Sequence, residues 1–196
     1  MRTRILPASG HRVMPWKNGG GSTTEIAISP DFADLATFDW RISTARVETP
    51  GPFSTFSGCD RTLCVIEGEG LVLTGLGPDS VYLTGESQPY AFPADKPVDC
   101  ALLGGLVTDL NVMTRRGHFA HDVIRLKGGA PDIRIPETGT IAFIFAPSAV
   151  SLLFEGEQVA LADRDAILIE GGTSVGIMTD GSTEPAYLML LRPLVV

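Results

Sequence analysis

Histidine and cysteine are both scarce in this chain of 196 residues, at three each, and helical periodicity is nearly missing. The histidines, His11, His118 and His121, form no HxH or HExxH motif, and no CxxC pair occurs. A zinc or iron centre wants three protein ligands and an open position. His118, His121 and Asp122 in "RRGHFAHDV" would share a face only if that stretch were helical, so we expect loop histidines, no metal and no cofactor. Cys59, Cys64 and Cys100 are an odd number in a chain too large to need staples, which favours reduced thiols in a cytosol. No run approaches the roughly 20 apolar residues of a membrane span. "MRTRILPASGHR" has no apolar core of a signal peptide, so a cytoplasmic protein is expected. Basic residues are outnumbered, 15 against 23 acidic, for a formal charge of −8. That balance argues against nucleic acid or an anionic membrane as a partner. Nucleophile and phosphate signatures are missing too: there is no GxSxG, and "GGGSTT" lacks a GK[ST] ending and runs into a strand.

What is present is β-structure. Short apolar runs such as "EIAIS", "WRISTARV", "RTLCVIEG", "IAFIFA" and "AYLMLLRPL" are divided by Gly, Pro, Asp and Ser. Many closely spaced strands of this kind indicate an all-β sandwich or barrel. Only "PDFADLATF" (30–38) suits a short turn of helix. A degenerate internal repeat sharpens the picture. Residues 68–103 run strand, turn, strand, "TGE", strand, gap, strand, and residues 149–191 run in nearly the same order. A hairpin followed by an acidic or glycine turn and a hydrophobic strand looks like the second half of a cupin jelly roll. Two copies imply a bicupin, two cupin-type jelly-roll β-sandwiches in one globule. The expected halves are 1–117 and 118–196, with strands able to be shared between them. The break falls between about 117 and 138, in or before the loop-rich "RLKGGAPDIRIPETG".

Strand alternation sends every second side chain to one face. On that basis Arg41, Ser43 and Ala45 align, as do Arg61, Leu63 and Val65. Asp109, Asn111, Met113 and Arg115 fall together, and so do Thr23, Glu25 and Ala27. Each strand alone is compatible with a solvent face. The identities as a group favour a locally positive cup: Lys17, Arg41, Arg61 and Arg115 are cations, Asn18, Thr23, Ser43 and Asn111 are oriented dipoles, and Glu25 and Asp109 are counter-charges. Arginine pairs bidentately with carboxylates, so the fitting guest is a small organic acid. Trp16 and Phe53 are candidates for the apolar walls of such a pocket. The glycines of "PWKNGGG" are either a pliable turn into the first long strand or a place where backbone comes close to a ligand.

Three ordered blocks carry a family resemblance. "MPWKNGGGSTTEIAI", "WRISTARVETPGPFSTFSGCDRTLCVIEGEG" and "GGLVTDLNVMTRRG" closely resemble the HutD/Ves family, over residues 13 to 117. Ser57-Gly58-Cys59-Asp60 departs from the Pro–Gly the family often has before that Asp, while Asp60 and Arg61 stay in place. The resemblance implies a bicupin with one jelly roll carrying a polar pocket, and no need of a metal. It implies that Trp16, Lys17 and Asn18 form one wall and that Glu25 orients a cation on the next strand. The HutD branch is associated with bacterial histidine utilisation, which it is thought to temper by binding urocanate or formylglutamate; the Ves branch is named for cold and stress induction. The expectation is therefore a metal-free binding protein for a small carboxylate, regulatory rather than catalytic. An isomerase, lyase or hydrolase using Lys17, Glu25 or Asp109 as acid or base is the alternative, and a stress-related bicupin with no retained ligand is a third. A homodimer is compatible with all three.

Overall fold

Runs of Val, Ile, Leu and Thr fit the pleated, half-buried surface of a sheet, and Gly, Pro and Asp end each run after four to nine residues in most cases. A computed structural model describes residues 2–128, 132–135, 139–154, 156–177 and 185–194. Part of "RLKGGAPDIRIPETG" lies outside the described residues. Nineteen strands among those described form four sheets, distributed over two compact units.

One unit spans Arg12–Phe119. Its larger sheet has the order β2 (Arg12–Pro15), β3 (Gly21–Ser29), β4 (Trp40–Val47), β11 (Val107–Arg115), β6 (Cys59–Glu67), β9 (Tyr90–Pro93). Its smaller sheet has the order β5 (Gly51–Pro52), β10 (Asp99–Leu102), β7 (Leu71–Thr74), β8 (Val81–Leu83). Leu63, Val65, Phe92 and Val107 from the first sheet and Leu71, Leu73, Leu83 and Cys100 from the second pack into one apolar core. The core makes this a sandwich.

The other unit combines the residues up to His11 with those from Ala120 onward. Its sheets have the orders β1 (Arg2–Leu6), β17 (Ala166–Glu170), β14 (Ile141–Phe145), β19 (Ala186–Pro193), β12 (Phe119–Leu126), and β13 (Ile133–Ile135), β18 (Thr173–Ile177), β15 (Val150–Phe154), β16 (Glu157–Leu161). Ile144, Leu152, Ile167, Val175 and Leu188 sit fully buried in its core.

The internal repeat is visible in the topology. The order β5-β10-β7-β8 recurs as β13-β18-β15-β16, and β4-β11-β6-β9 recurs as β12-β19-β14-β17. Every strand is replaced by the one eight places later. Each unit is thus a cupin-type jelly roll of eight strands, and the protein is all-β as expected. The unit carrying β4 is widened by β2 and β3, and the other by β1.

Two expectations need correction. A division at 117/118 puts β1 in the first half, yet Arg2–Leu6 pairs along its length with β17, from Arg2 opposite Glu170 to Leu6 opposite Ala166. The strand carries no feature in its own five residues that names its partner. Residues 30–38 are turns, not helix. There Asp34 Oδ1 accepts from the Ala36 amide at 2.9 Å and the Thr37 hydroxyl at 2.7 Å, a local side-chain bond that competes with helical pairing. No helix among the described residues is long and apolar enough to cross a membrane.

Candidate ligand-binding cavity

The connection from β2 to β3 is built by the glycines and their neighbours. The Trp16 amide donates to the Gly21 carbonyl at 2.9 Å and the Gly19 amide to the Trp16 carbonyl at 3.1 Å. Asn18 Oδ1 accepts from the Gly20 amide at 3.1 Å, an Asx turn. Gly19 has φ of +72°, which suits glycine. A Cβ on Gly21 would strike the Arg46 carbonyl oxygen and press on the Trp16 ring at 3.1 Å. The third glycine therefore lets the indole and the Arg46 carbonyl approach the chain closely. Trp16 Nε1 then donates to Thr23 Oγ1 at 2.8 Å, which ties the loop to β3.

Beside this loop lies a cavity of about 530 Å³. Arg41, Ser43, Ala45 and Val47 of β4 line it, with Asp109, Asn111 and Met113 of β11 and Arg61 of β6. The register explains the grouping: Asn111 stands opposite Ser43 on one side and Leu63 on the other, and Met113 stands opposite Arg41 and Arg61. Met14 to Asn18 and Thr23 form one wall, the segment Thr49–Phe56 without Thr55 forms the other, and exposed Leu35 lies at the rim. The Phe53 amide donates to the Val98 carbonyl and the Phe56 amide to the Ala94 carbonyl, both at 2.8 Å, so the second wall is pinned to the sandwich.

The polar groups form two assemblies. Arg61, only 7% exposed, has its guanidinium carbon 4.5 Å from the Phe53 ring centre and 5.6 Å from that of Phe92. Its Nε donates to Asn111 Oδ1 at 2.8 Å, Nη2 donates to the same oxygen, and Asn111 Nδ2 donates to Asp109 Oδ1. The other carboxylate oxygen, Asp109 Oδ2, is buried and has no partner among the described residues. Burial pushes the Asp109 carboxyl up to about 6, against the pull of Arg61, the Asn111 amide and the Ala45 backbone. In the second assembly Arg41, 4% exposed, donates from Nε to Glu25 Oε2 at 2.7 Å. Its terminal nitrogens make no hydrogen bond or ion pair to the described residues, and the same holds for Arg61 Nη1. Two guanidinium edges and the exposed Lys17 thus present unused donors to one cavity with aromatic and aliphatic walls. Forked donors of this kind match a carboxylate.

Trp16, Lys17, Asn18, Thr23, Arg41, Ser43, Phe53, Arg61, Asp109 and Asn111 all line the cavity. Glu25 stands one step back, as the partner of a lining arginine on the next strand. Arg115 does not belong to the lining. As the last residue of β11 it turns away: Nε donates to the Phe38 carbonyl at 2.9 Å and Nη2 to the Ala36 carbonyl at 2.6 Å, so its work is to fasten the 30–38 turn. The alignment of Ala27 with Glu25 also fails, because a register shift between them leaves Ala27 opposite Ile42. Met14, Pro15, Leu35, Thr49, Pro50, Pro52, Ser54 and Phe56 are lining residues that alternation does not reveal, since most lie in loops without a fixed period. The histidines lie elsewhere: His118 Nδ1 meets Asp39 Oδ1 at 2.7 Å and His11 Nε2 meets the Leu6 carbonyl at 3.2 Å. Among the described residues no three His, Cys, Asp or Glu side chains group as metal ligands.

The sequence profile of the HutD family matches residues 8–186, a span that contains both the cavity and most of the second jelly roll. The chain belongs to the HutD family. It is 34% identical over 170 residues to an uncharacterised 21.2 kDa protein in the hutC 3′ region of Pseudomonas putida, covering 86% of this chain and 87% of that one. Protein Ves of Citrobacter koseri is 38% identical over 109 residues, 54% of this chain and 56% of that one. The solved structure of HutD from Pseudomonas fluorescens SBW25, determined in a formate condition, superposes with a TM-score of 0.81 at 30% identity, over 99% of this chain and all of that one. At 10% identity a variant of Bacillus subtilis oxalate decarboxylase matches with a TM-score of 0.63, over 96% of this chain and 76% of that one, and shows the cupin fold alone.

Proposed function

We propose that the protein binds a small organic carboxylate in this cavity, and that it acts as a binding protein rather than a catalyst. The observation that carries the reading is the pair of buried arginines, each with its Nε occupied by the protein: Arg41 leaves both terminal nitrogens to the cavity, and Arg61 leaves Nη1. Aromatic and proline walls give an organic acid apolar contact, and the size suits a guest of metabolite dimensions. Urocanate and formylglutamate are the carboxylates we name first, because a relative lies in a hutC region. Sensing of such an intermediate would make the protein a regulator of histidine utilisation.

Calorimetric titration with urocanate and with N-formylglutamate tests the reading. We expect one-to-one binding, loss of the signal in Arg61→Met, and recovery of the acid unchanged after prolonged incubation. No binding of either acid, or steady conversion to a product, would overturn it. Conversion would favour an acid–base enzyme, for which the raised Asp109 carboxyl is the candidate group.

A further inference from the structure

Asp109 is the most completely buried charged residue of the cavity, at 0% exposure, and half of its carboxylate is unused. Oδ1 receives the Asn111 amide, whose oxygen in turn receives Arg61. That chain leaves one orientation for Asn111 and makes Oδ1 an acceptor. Oδ2 has no partner among the described residues. A buried carboxylate oxygen with nothing donating to it is rare in folded proteins and costly to keep. Its neighbours do not relieve it: the Ala45 backbone favours the charged carboxylate, but no hydrogen bond reaches Oδ2 from it. Cys100 lies close enough to feel the Asp109 charge, but its thiol faces the Ala101 carbonyl at 3.8 Å. Arg61 spends two nitrogens on Asn111 rather than on Asp109.

A plain anion would sit awkwardly here. Held by Arg61 and Arg41, it would lie one amide away from a second carboxylate, and like charges at that range repel. A guest that turns a hydrogen-bond donor toward Asp109 removes the repulsion and satisfies the orphaned oxygen in one contact. We propose that the guest carries an N–H or O–H donor close to its carboxylate, and that Asp109 Oδ2 receives this donor, so that Asp109 selects among organic acids. The class is that of N-acylated amino acids, azole carboxylates and hydroxy acids, as against simple aliphatic or ether acids. The inference rests on the carboxylate reading given above. The raised Asp109 carboxyl agrees with it, because nothing within the protein stabilises the charge enough to hold it at the ordinary value.

The experiment compares two rigid acids of nearly the same shape, pyrrole-2-carboxylate and furan-2-carboxylate, which differ in an N–H against a ring oxygen. Both are titrated by calorimetry or ligand-observed NMR at neutral pH, into the wild type and into Asp109→Asn. In the wild type the pyrrole acid should bind at least about tenfold more tightly, the worth of one hydrogen bond to a charged acceptor. In Asp109→Asn the ratio should shrink to within about threefold, and a thermal melt establishes that the variant is folded. Equal binding of the two acids to the wild type would overturn the donor inference while leaving the carboxylate reading intact, and it does not depend on any variant folding. A ratio that persists in Asp109→Asn would overturn the assignment to Asp109. Failure of both acids to bind at millimolar concentration, together with urocanate and N-formylglutamate, would instead remove the carboxylate reading itself.

Discussion

Replacing Arg61 by alanine should destabilise the protein far more at pH 8 than at pH 5, because of what it does to Asp109. Burial raises the Asp109 carboxyl from 3.8 to about 6 in the fold. A carboxyl raised in this way is held as the acid more firmly by the native state than by the unfolded chain. Its cost to stability is therefore nil below about pH 4, grows between about 4 and 6, and stays constant above. At about 1.4 kcal/mol per tenfold change in proton affinity, that constant cost is about 3 kcal/mol. Arg61 is the largest influence holding it down. At pH 5 Asp109 is mostly protonated, and Arg61→Ala forfeits only the stacking on Phe53 and Phe92 and the bonds to Asn111, about 1–2 kcal/mol. At pH 8 the variant must also hold an uncompensated buried carboxylate or keep it protonated, for a total of about 3–5 kcal/mol. Urea denaturation at both pH values checks this, with Asp109→Asn and the double variant completing a cycle. In the Asp109→Asn background the Arg61 cost should be the same at both pH values. An equal cost in the wild-type background would refute the coupling.

Three further outcomes follow from single contacts. Glu25→Gln keeps an acceptor for Arg41 Nε but removes the charge, so thermal melts should show a loss of about 1–2 kcal/mol while calorimetry shows a few-fold gain in affinity for organic anions; weaker anion binding would contradict the role given to Arg41. Gly21→Ala drives a Cβ into the Arg46 carbonyl and the Trp16 ring, and should cost about 2 kcal/mol or more with a change in tryptophan fluorescence, whereas a silent substitution would contradict the close approach. Arg115→Ala releases the Ala36 and Phe38 carbonyls and should speed limited proteolysis within 30–38 while leaving ligand affinity within about threefold; a loss matching that of Arg61→Met would return Arg115 to the site.

Alternation carried the polar strand residues of the cavity. Arg41, Ser43, Arg61, Asp109 and Asn111 sit on regular strands, where a period of two is enough to group them, and the antiparallel register of β4, β11 and β6 does the rest. It failed where the period is interrupted. The register shift in β3 moved Ala27 to the other face, and Arg115, at the strand end, was free to follow the carbonyls of a neighbouring turn. The wall from Thr49 to Phe56 is largely irregular chain, whose course depends on bonds to Val98 and Ala94, far along the sequence. The second jelly roll was legible through the repeat, but the exchange of β1 was not, because so short a strand names no partner. The roles of Asn111 as a bridge and of Asp109 Oδ2 as an orphan are three-dimensional facts with no trace in the spacing.

The most direct test of carboxylate binding by the two arginines is a crystal structure of the protein grown with a saturating concentration of N-formylglutamate. The expected result is a carboxylate in the cavity with oxygens within about 3 Å of Arg61 Nη1 and of the terminal nitrogens of Arg41. An acid bound elsewhere, or held in the cavity with its carboxylate turned away from both arginines, would contradict it.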